Sequence, residues 1–304
     1  MKTETWIAPY KWEGERIDKC LKESFPNMSR SYLQKLIKDN YLLVNNEKIK
    51  ANYRLIGGER IELTIPDPIV PCLFPENISL SILYEDKDIL IINKPKGMVV
   101  HPAPGHEKGT LVNALLEYCK EELSGINGIL RPGIVHRIDR DTTGSIIVCK
   151  NDIAHREIAR QLKEHTIVRK YRAIVHGVIK DEEGTIQSLI GRHPTDRKKM
   201  AMNVKNGKPA VTHYKVLLRF GQFTYIECQL ETGRTHQIRV HMAGVGHPLL
   251  GDYVYSHRNS PYTSLEGQTL HAMTIGFLHP SNGEYMEVEA PLPDYFQHLL
   301  EIIP

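Results

Sequence analysis

The sequence predicts an α+β fold, in which a mixed, largely antiparallel central sheet carries helices at its side and is preceded by a small α/β module. Three observations lead there. Short apolar stretches with two-residue alternation adjoin in hairpin order, helical spacings fall between some of them, and a proline-rich stretch splits the chain near residue 70. That stretch runs from Pro66 to Pro75 and holds four prolines in ten residues. Proline removes backbone donors and favours an extended connector, so domains are expected at residues 1–70 and at 76–304.

In the first domain Ile17, Leu21 and Phe25 keep a four-residue spacing, as one face of a helix does. Ser29 can cap a second helix whose apolar face is Leu33, Leu36 and Ile37, and Asn40 sits where that helix should stop. Tyr41 to Val44, a turn over Asn45-Asn46-Glu47-Lys48, and Gly57 to Leu63 read as short strands with turns between them. In the second domain Ser81 to Tyr84 and Ile89 to Asn93 look like paired strands, and Leu111 to Tyr118 looks like a helix. Ile146 to Cys149 is a buried strand, Ile153 to His165 a helix with Ile158 and Leu162 on one face, and Lys170 to Gly177 alternates as a strand should.

Composition removes several function classes. The 304 residues are 41% apolar and 25% charged, enough to bury a large core. No window reaches the roughly 18 apolar residues of a membrane span, and Met1 to Tyr10 has no apolar run, so a cytoplasmic protein is expected. Five cysteines lie far apart with no C-x-x-C pair, which argues against zinc ribbons, redox motifs and disulfide frameworks. No G-x-G-x-x-G follows a strand and no G-x-x-x-x-G-K-[ST] occurs, so no nucleotide cofactor is expected. The net charge of +3 decides little, because a basic face can hide in a balanced total.

The chemistry-bearing residues cluster in three places. Ile134 to Gly144 holds Asp139 among His136, Arg137 and Arg140, where a carboxylate stays ionised and can face a phosphate-bearing substrate. If that stretch is extended, Arg137, Asp139 and Asp141 share a face. The alternatives are a glycosidase-like carboxylate pair, or plain ion pairs of the two aspartates with Arg137 and Arg140. In Leu230 to Met242, Thr235 can cap a helix carrying Arg239 in its first turn or two, where it can pair with a carboxylate from elsewhere. His236 and His241 fall on different faces of that helix, so no metal site is expected. Gly191 to Met200, with Arg192 and His193, is a basic polar loop.

Ser29-Arg30-Ser31-Tyr32-Leu33-Gln34-Lys35-Leu36-Ile37, then Leu43 to Lys50 and Gly58 to Ile61, resembles the S4-type RNA-binding domain, a likeness that covers a core of about residues 14–66. This likeness implies that Arg30, Lys35 and Lys38 grip structured RNA, rather than merely forming a solvated surface. Lys94 to Pro102, His136 to Gly144, Lys170 to Ala173, Arg192-His193-Pro194 and Gly233 to His241, in that order, resemble the RluA/RluD family of RNA pseudouridine synthases over almost all of residues 80–304.

The resemblance implies an isomerase with the pseudouridine synthase catalytic fold, acting on uridines of large-subunit (23S) ribosomal RNA or its precursor. That isomerisation adds no group and involves no net oxidation, so no cofactor is expected, and the protein is expected to act as a monomer. Asp139 would be the catalytic aspartate, Tyr171 the tyrosine stacked on the target base, and Arg239 the partner of the aspartate. Arg137 would fill the space left by the flipped base, and His136, Arg140, Arg192, His193, Arg234 and His236 would contact RNA. The chain departs from the family pattern at Ile138, usually Leu, Thr143, usually Ser, and Ser145, usually Leu. The competing expectations are a synthase acting on transfer RNA and a noncatalytic RNA-binding or ribosome-assembly factor. A nucleotide deaminase would need the paired H-x-E and P-C-x-x-C zinc signature, which the chain lacks.

Overall fold

The computed structural model describes every residue except 1, 27, 67–72, 104, 121, 129–130, 197, 257–261 and 263–264. The chain forms two compact units, Met1–Pro71 and Cys72–Pro304.

The first unit contains β1 (Lys2–Ile7), α1 (Ile17–Ser24), α2 (Arg30–Lys38), β2 (Leu42–Val44), β3 (Glu47–Lys48) and β4 (Arg60–Ile65). Its antiparallel sheet has the order β1-β4-β2-β3. Ile17 and Leu21 of α1 pack with Leu33, Leu36 and Ile37 of α2 against Leu42, Ile61 and Leu63. The Ser29 hydroxyl accepts the Tyr32 amide at 3.2 Å and so starts α2. Asn40, at φ 62°, ends it. Two corrections apply to the expected order. The turn is confined to Asn45 and Asn46, both left-handed, and Glu47–Lys48 already form a strand. The half-polar segment Lys2–Ile7, which carries no apolar run, adds a leading strand along β4.

The second unit contains β5 (Ile82–Glu85), β6 (Ile89–Lys94), α3 (Leu111–Cys119), β7 (Thr143–Cys149), α4 (Asp152–Glu164), β8 (Val168–His176), β9 (Glu183–Arg192) and β10 (Met200–Met202). It continues with β11 (Lys208–Arg219), β12 (Phe223–Leu230), α5 (Gln237–Gly244), β13 (Leu270–Leu278), β14 (Tyr285–Glu289) and α6 (Asp294–Ile302). The strands form one sheet in the order β10-β9-β11-β12-β8-β13-β7-β6-β5, with β14 also on β13. Among the described residues, all pairings of this sheet are antiparallel except that of β13 with β7.

The apolar runs of β6 and β7 follow from burial on both faces. Leu90, Ile92, Ile146 and Val148 meet Leu111, Val112 and Leu115 of α3, whereas Ile89, Ile91, Ile147 and Cys149 meet Ala154 and Ile158 of α4. On the other half of the sheet, Ile238 and Met242 of α5 join the core of β8, β11 and β12. The late strand β13 sits between β8 and β7, so the middle of the sheet comes from two distant parts of the chain. At its junction with β7, Gly144 has φ 110° and a Cβ there would lie 2.2 Å from the Ala272 carbonyl oxygen, so only glycine fits. Among the described residues, no helix is long and apolar enough to cross a membrane.

Candidate active site

The segment from Val135 to Thr142 enters β7 as an irregular loop rather than a strand. It is pinned from several sides. The His136 Nε2 accepts the Ile147 amide at 2.9 Å, the Asp139 carbonyl accepts the Thr142 amide at 3.1 Å, and the Gln268 amide donates to Thr142 Oγ1 at 3.0 Å. Lys94, fully buried at the end of β6, donates from Nζ to the carbonyls of Pro95, Met98 and Arg140 at 2.7, 2.9 and 2.8 Å. Burial pushes the Lys94 ammonium down to about 7, against the opposing pull of Asp141 and Asp139.

Because the loop turns at Arg140, the two aspartates take different partners. Asp141 is bound by Arg140 at 2.9 and 3.0 Å, and Tyr253 bridges the same pair. Asp139 instead meets Arg239, whose Nη1 donates to its Oδ2 at 2.9 Å. The arrangement expected of an extended strand, with Arg137, Asp139 and Asp141 on one face, is therefore corrected by the turn.

Arg239 is itself gripped from behind. Asp252, fully buried, accepts from Arg239 Nε at 2.7 Å and Nη2 at 3.0 Å, and also takes the amides of Val254 and Tyr255. Burial disfavours the guanidinium charge, but the two carboxylates outweigh it and hold the group above its ordinary value. The Tyr255 ring lies 5.2 Å from the guanidinium, and its hydroxyl is 2.8 Å from His236 Nδ1. The other ring nitrogen of His236 is 3.9 Å from Asp139 Oδ1. Burial pushes His236 below its ordinary value, opposed by Asp139.

The start of α5 differs from the expected cap. Thr235 does not cap it; His236 precedes it in the left-handed region at φ 57°, and Gln237 Oε1 accepts the Arg234 amide and the Thr232 hydroxyl at 2.9 and 2.8 Å. His241 lies inside, bonded to Thr212 and Ser188. Asp86, Asp88 and His279, which come near metal-site geometry, lie outside the cavity described below and are already engaged with one another or with Tyr84 and Ser281.

Asp139, Arg239 and Tyr171 line one cavity of about 550 Å³, with Arg137, His136, Arg234, His236 and Arg169. That volume suits a nucleotide-sized group. Tyr171 is buried, and burial with the Asp139 charge raises its phenol above the ordinary range despite Arg169. The group is thus a neutral hydroxyl at ordinary pH. Arg137 is exposed and approaches His101 Nε2 at 3.5 Å. His136 faces the cavity, but its Nε2 is spent on the main chain, and burial pushes it down to about 3, so it carries no charge there.

Other expected residues fall elsewhere. Arg140 turns toward Asp141 and Tyr253, and neither Arg192 nor His193 lines the cavity. The His193 ring organises its own loop by accepting the Asp196 amide at 3.1 Å. Arg30, Lys35 and Lys38 are exposed on α2 of the first unit, with Arg30 bonded to the buried Asp18 at 3.0 Å. Asp252, Tyr255 and Arg169 were not anticipated. For Arg169 alone a signal existed, since it alternates with Tyr171 along β8.

Residues 88–244 match the family model described as RNA pseudouridylate synthase, and residues 15–61 match the S4 domain. The chain is 51% identical over 289 residues to the RNA pseudouridine synthase YlyB of Bacillus subtilis, covering 95% of this chain and 94% of that one. It is 44% identical over 306 residues to ribosomal large subunit pseudouridine synthase D of Neisseria meningitidis, covering 97% and 80%. Among solved structures, human RNA pseudouridylate synthase domain containing 1 superposes with a TM-score of 0.58 at 28% identity, covering 72% of this chain and 85% of that one.

Proposed function

Since the chain belongs to the RNA pseudouridylate synthase family, and is thus an isomerase that turns uridine into pseudouridine, we propose that its reaction runs in the Asp139 cavity on uridines of large-subunit ribosomal RNA. The observation that carries the site assignment is that Asp139, held by Arg239, shares a cavity with Tyr171. The choice of RNA is supported by the relatives named ribosomal large subunit pseudouridine synthase D, at 40 to 44% identity, and by the S4 match in the first unit.

The reaction breaks the bond from ribose C1′ to base N1, turns the base and rejoins it through carbon 5. Asp139 either attacks C1′ or removes a sugar proton. Arg239 fixes the carboxylate in place, and Asp252 fixes Arg239. The uridine must leave its stack first, at a cost of roughly a few kcal/mol. Stacking on Tyr171 and entry of exposed Arg137 into the vacated space offset that cost. Arg234 at the cavity, Arg140 beside it, Arg192 and His193 on their loop, and Lys35 and Lys38 on α2 supply phosphate contacts, so affinity falls with salt.

The test is pseudouridine mapping on ribosomal and transfer RNA from cells carrying the protein, its Asp139→Ala variant, or neither. Particular large-subunit sites should vanish in both defective strains. Sites lost from transfer RNA instead overturn the substrate assignment. Sites that persist with Asp139→Ala but vanish in the deletion overturn the catalytic one.

A further inference from the structure

Four guanidinium groups line the cavity, and three have an evident occupation or lie toward solvent. Arg239 is saturated by two carboxylates, Arg234 reaches the Pro209 carbonyl at 2.9 Å and is only half-buried, and Arg137 is exposed. Arg169 is different. It is 7% exposed, its Nη2 donates to the Glu231 carbonyl at 2.9 Å, and its Nε is buried with no acceptor among the described residues. No described carboxylate lies within ion-pair distance of it. Burial pushes it below the ordinary arginine value, opposed by Tyr171 and aided by the like charge of Arg234, yet arginine does not lose its proton in proteins. A buried cation with spare donors and no counter-charge is costly to fold around.

The position of this charge narrows what it can meet. Arg169 lies two residues before Tyr171 on β8, so both side chains leave the same face of the strand about 7 Å apart along it. A phosphate stays with the RNA backbone at the cavity mouth, whereas a flipped base goes deep. The uracil ring itself becomes anionic during the reaction. When C1′–N1 breaks, the bonding pair leaves with the base, and the negative charge spreads over N1 and the two ring carbonyl oxygens. When carbon 5 attacks C1′ that pair enters the new bond, the charge disappears, and the proton lost from carbon 5 is replaced by one gained at N1.

We propose that Arg169 is a catalytic residue that holds the detached uracil anion through its ring oxygens, the counter-charge the folded protein leaves open. The assignment rests on the Asp139 cavity being the active site. Because the charge exists only between bond breaking and bond making, Arg169 stabilises that stage over bound substrate, and its loss acts on the rate rather than on binding.

The experiment measures single-turnover cleavage of C1′–N1 and RNA affinity for the unaltered protein, Arg169→Gln, Arg169→Lys and Asp139→Ala. It uses an RNA on which the unaltered protein is active, transcribed with uridine or with 5-fluorouridine. Arg169→Gln should cleave uridine about 100-fold more slowly at unchanged affinity, and Arg169→Lys should recover much of the rate. Fluorine stabilises the departing anion without the protein's help, so the Arg169→Gln deficit should shrink on 5-fluorouridine. An equal deficit on both RNAs, weakened affinity with an unchanged rate, or equal losses in Gln and Lys variants that melt early each overturn the proposal. An active Asp139→Ala overturns the underlying site assignment, whereas an inactive Asp139→Ala beside an unimpaired Arg169→Gln overturns this proposal alone.

Discussion

Arg239 is shared between two carboxylates of unequal exposure. Asp252 has a fully buried side chain and Asp139 keeps 18% exposure toward the cavity. The buried partner therefore sets the direction of the guanidinium, and the open one receives what is left of it. Asp252→Asn keeps the shape and removes the charge. It should cost roughly 3 kcal/mol of unfolding free energy, read from urea unfolding, and slow isomerisation more than tenfold with RNA affinity unchanged. A variant as fast as the parent would mean that Asp139 alone orients Arg239. At this scale charge type and spacing showed that Arg239 could meet a carboxylate from elsewhere, but left the partner of Asp139 open, and only the family resemblance joined the two. The sequence was silent on Asp252 and Tyr255, because they return to α5 through an irregular segment with no periodicity to place them.

The element that carries Asp139 is a loop, and its shape is imposed by neighbours. Lys94 at the end of β6 donates to three carbonyls, one of them that of Arg140, directly after Asp139. Lys94→Met leaves those carbonyls without their donor in a dry site, each worth about 1–3 kcal/mol. A lower melting temperature and a slower reaction are both expected, with α3 and α4 intact by circular dichroism. An unchanged melting temperature would show that the carbonyls find other donors. The strands and helices were readable where one rule dominated, as in the unbroken apolar run of β6 or the Ser29 cap of α2. The Asp139 loop was not, because alternation along Arg137 to Asp141 is also what a strand would show. Likewise β1 is polar on its open side and gains strand character only from pairing with β4.

Across the whole molecule, burial holds several histidines neutral. Burial pushes His136 down to about 3, and His101 and His241 down to about 4, with Arg137 and Arg131 adding to the effect at His101. Below an unfolded-chain value near 6.5 the unfolded protein takes up protons that the folded one refuses. Stability should therefore fall as pH drops from about 6.5 toward 4, by up to about 1.4 kcal/mol per pH unit for each such group. Urea midpoints at pH 7 and 5 measure this, and His241→Gln should flatten the difference; a flat parent profile would contradict it. The first unit has a core drawn entirely from its own residues, so a chain beginning at residue 76 should still fold cooperatively and bind RNA less tightly, with a shallower salt dependence. Equal affinity for the shortened chain would remove the first unit from RNA binding. The insertion of β13 between β7 and β8 has a consequence in time. About 100 residues separate the end of β8 from the end of β13, several seconds of synthesis at about 5–20 residues per second. Throughout that interval the nascent chain exposes two unjoined strand edges, and it can gain activity only once β13 has been made and has closed the gap between them.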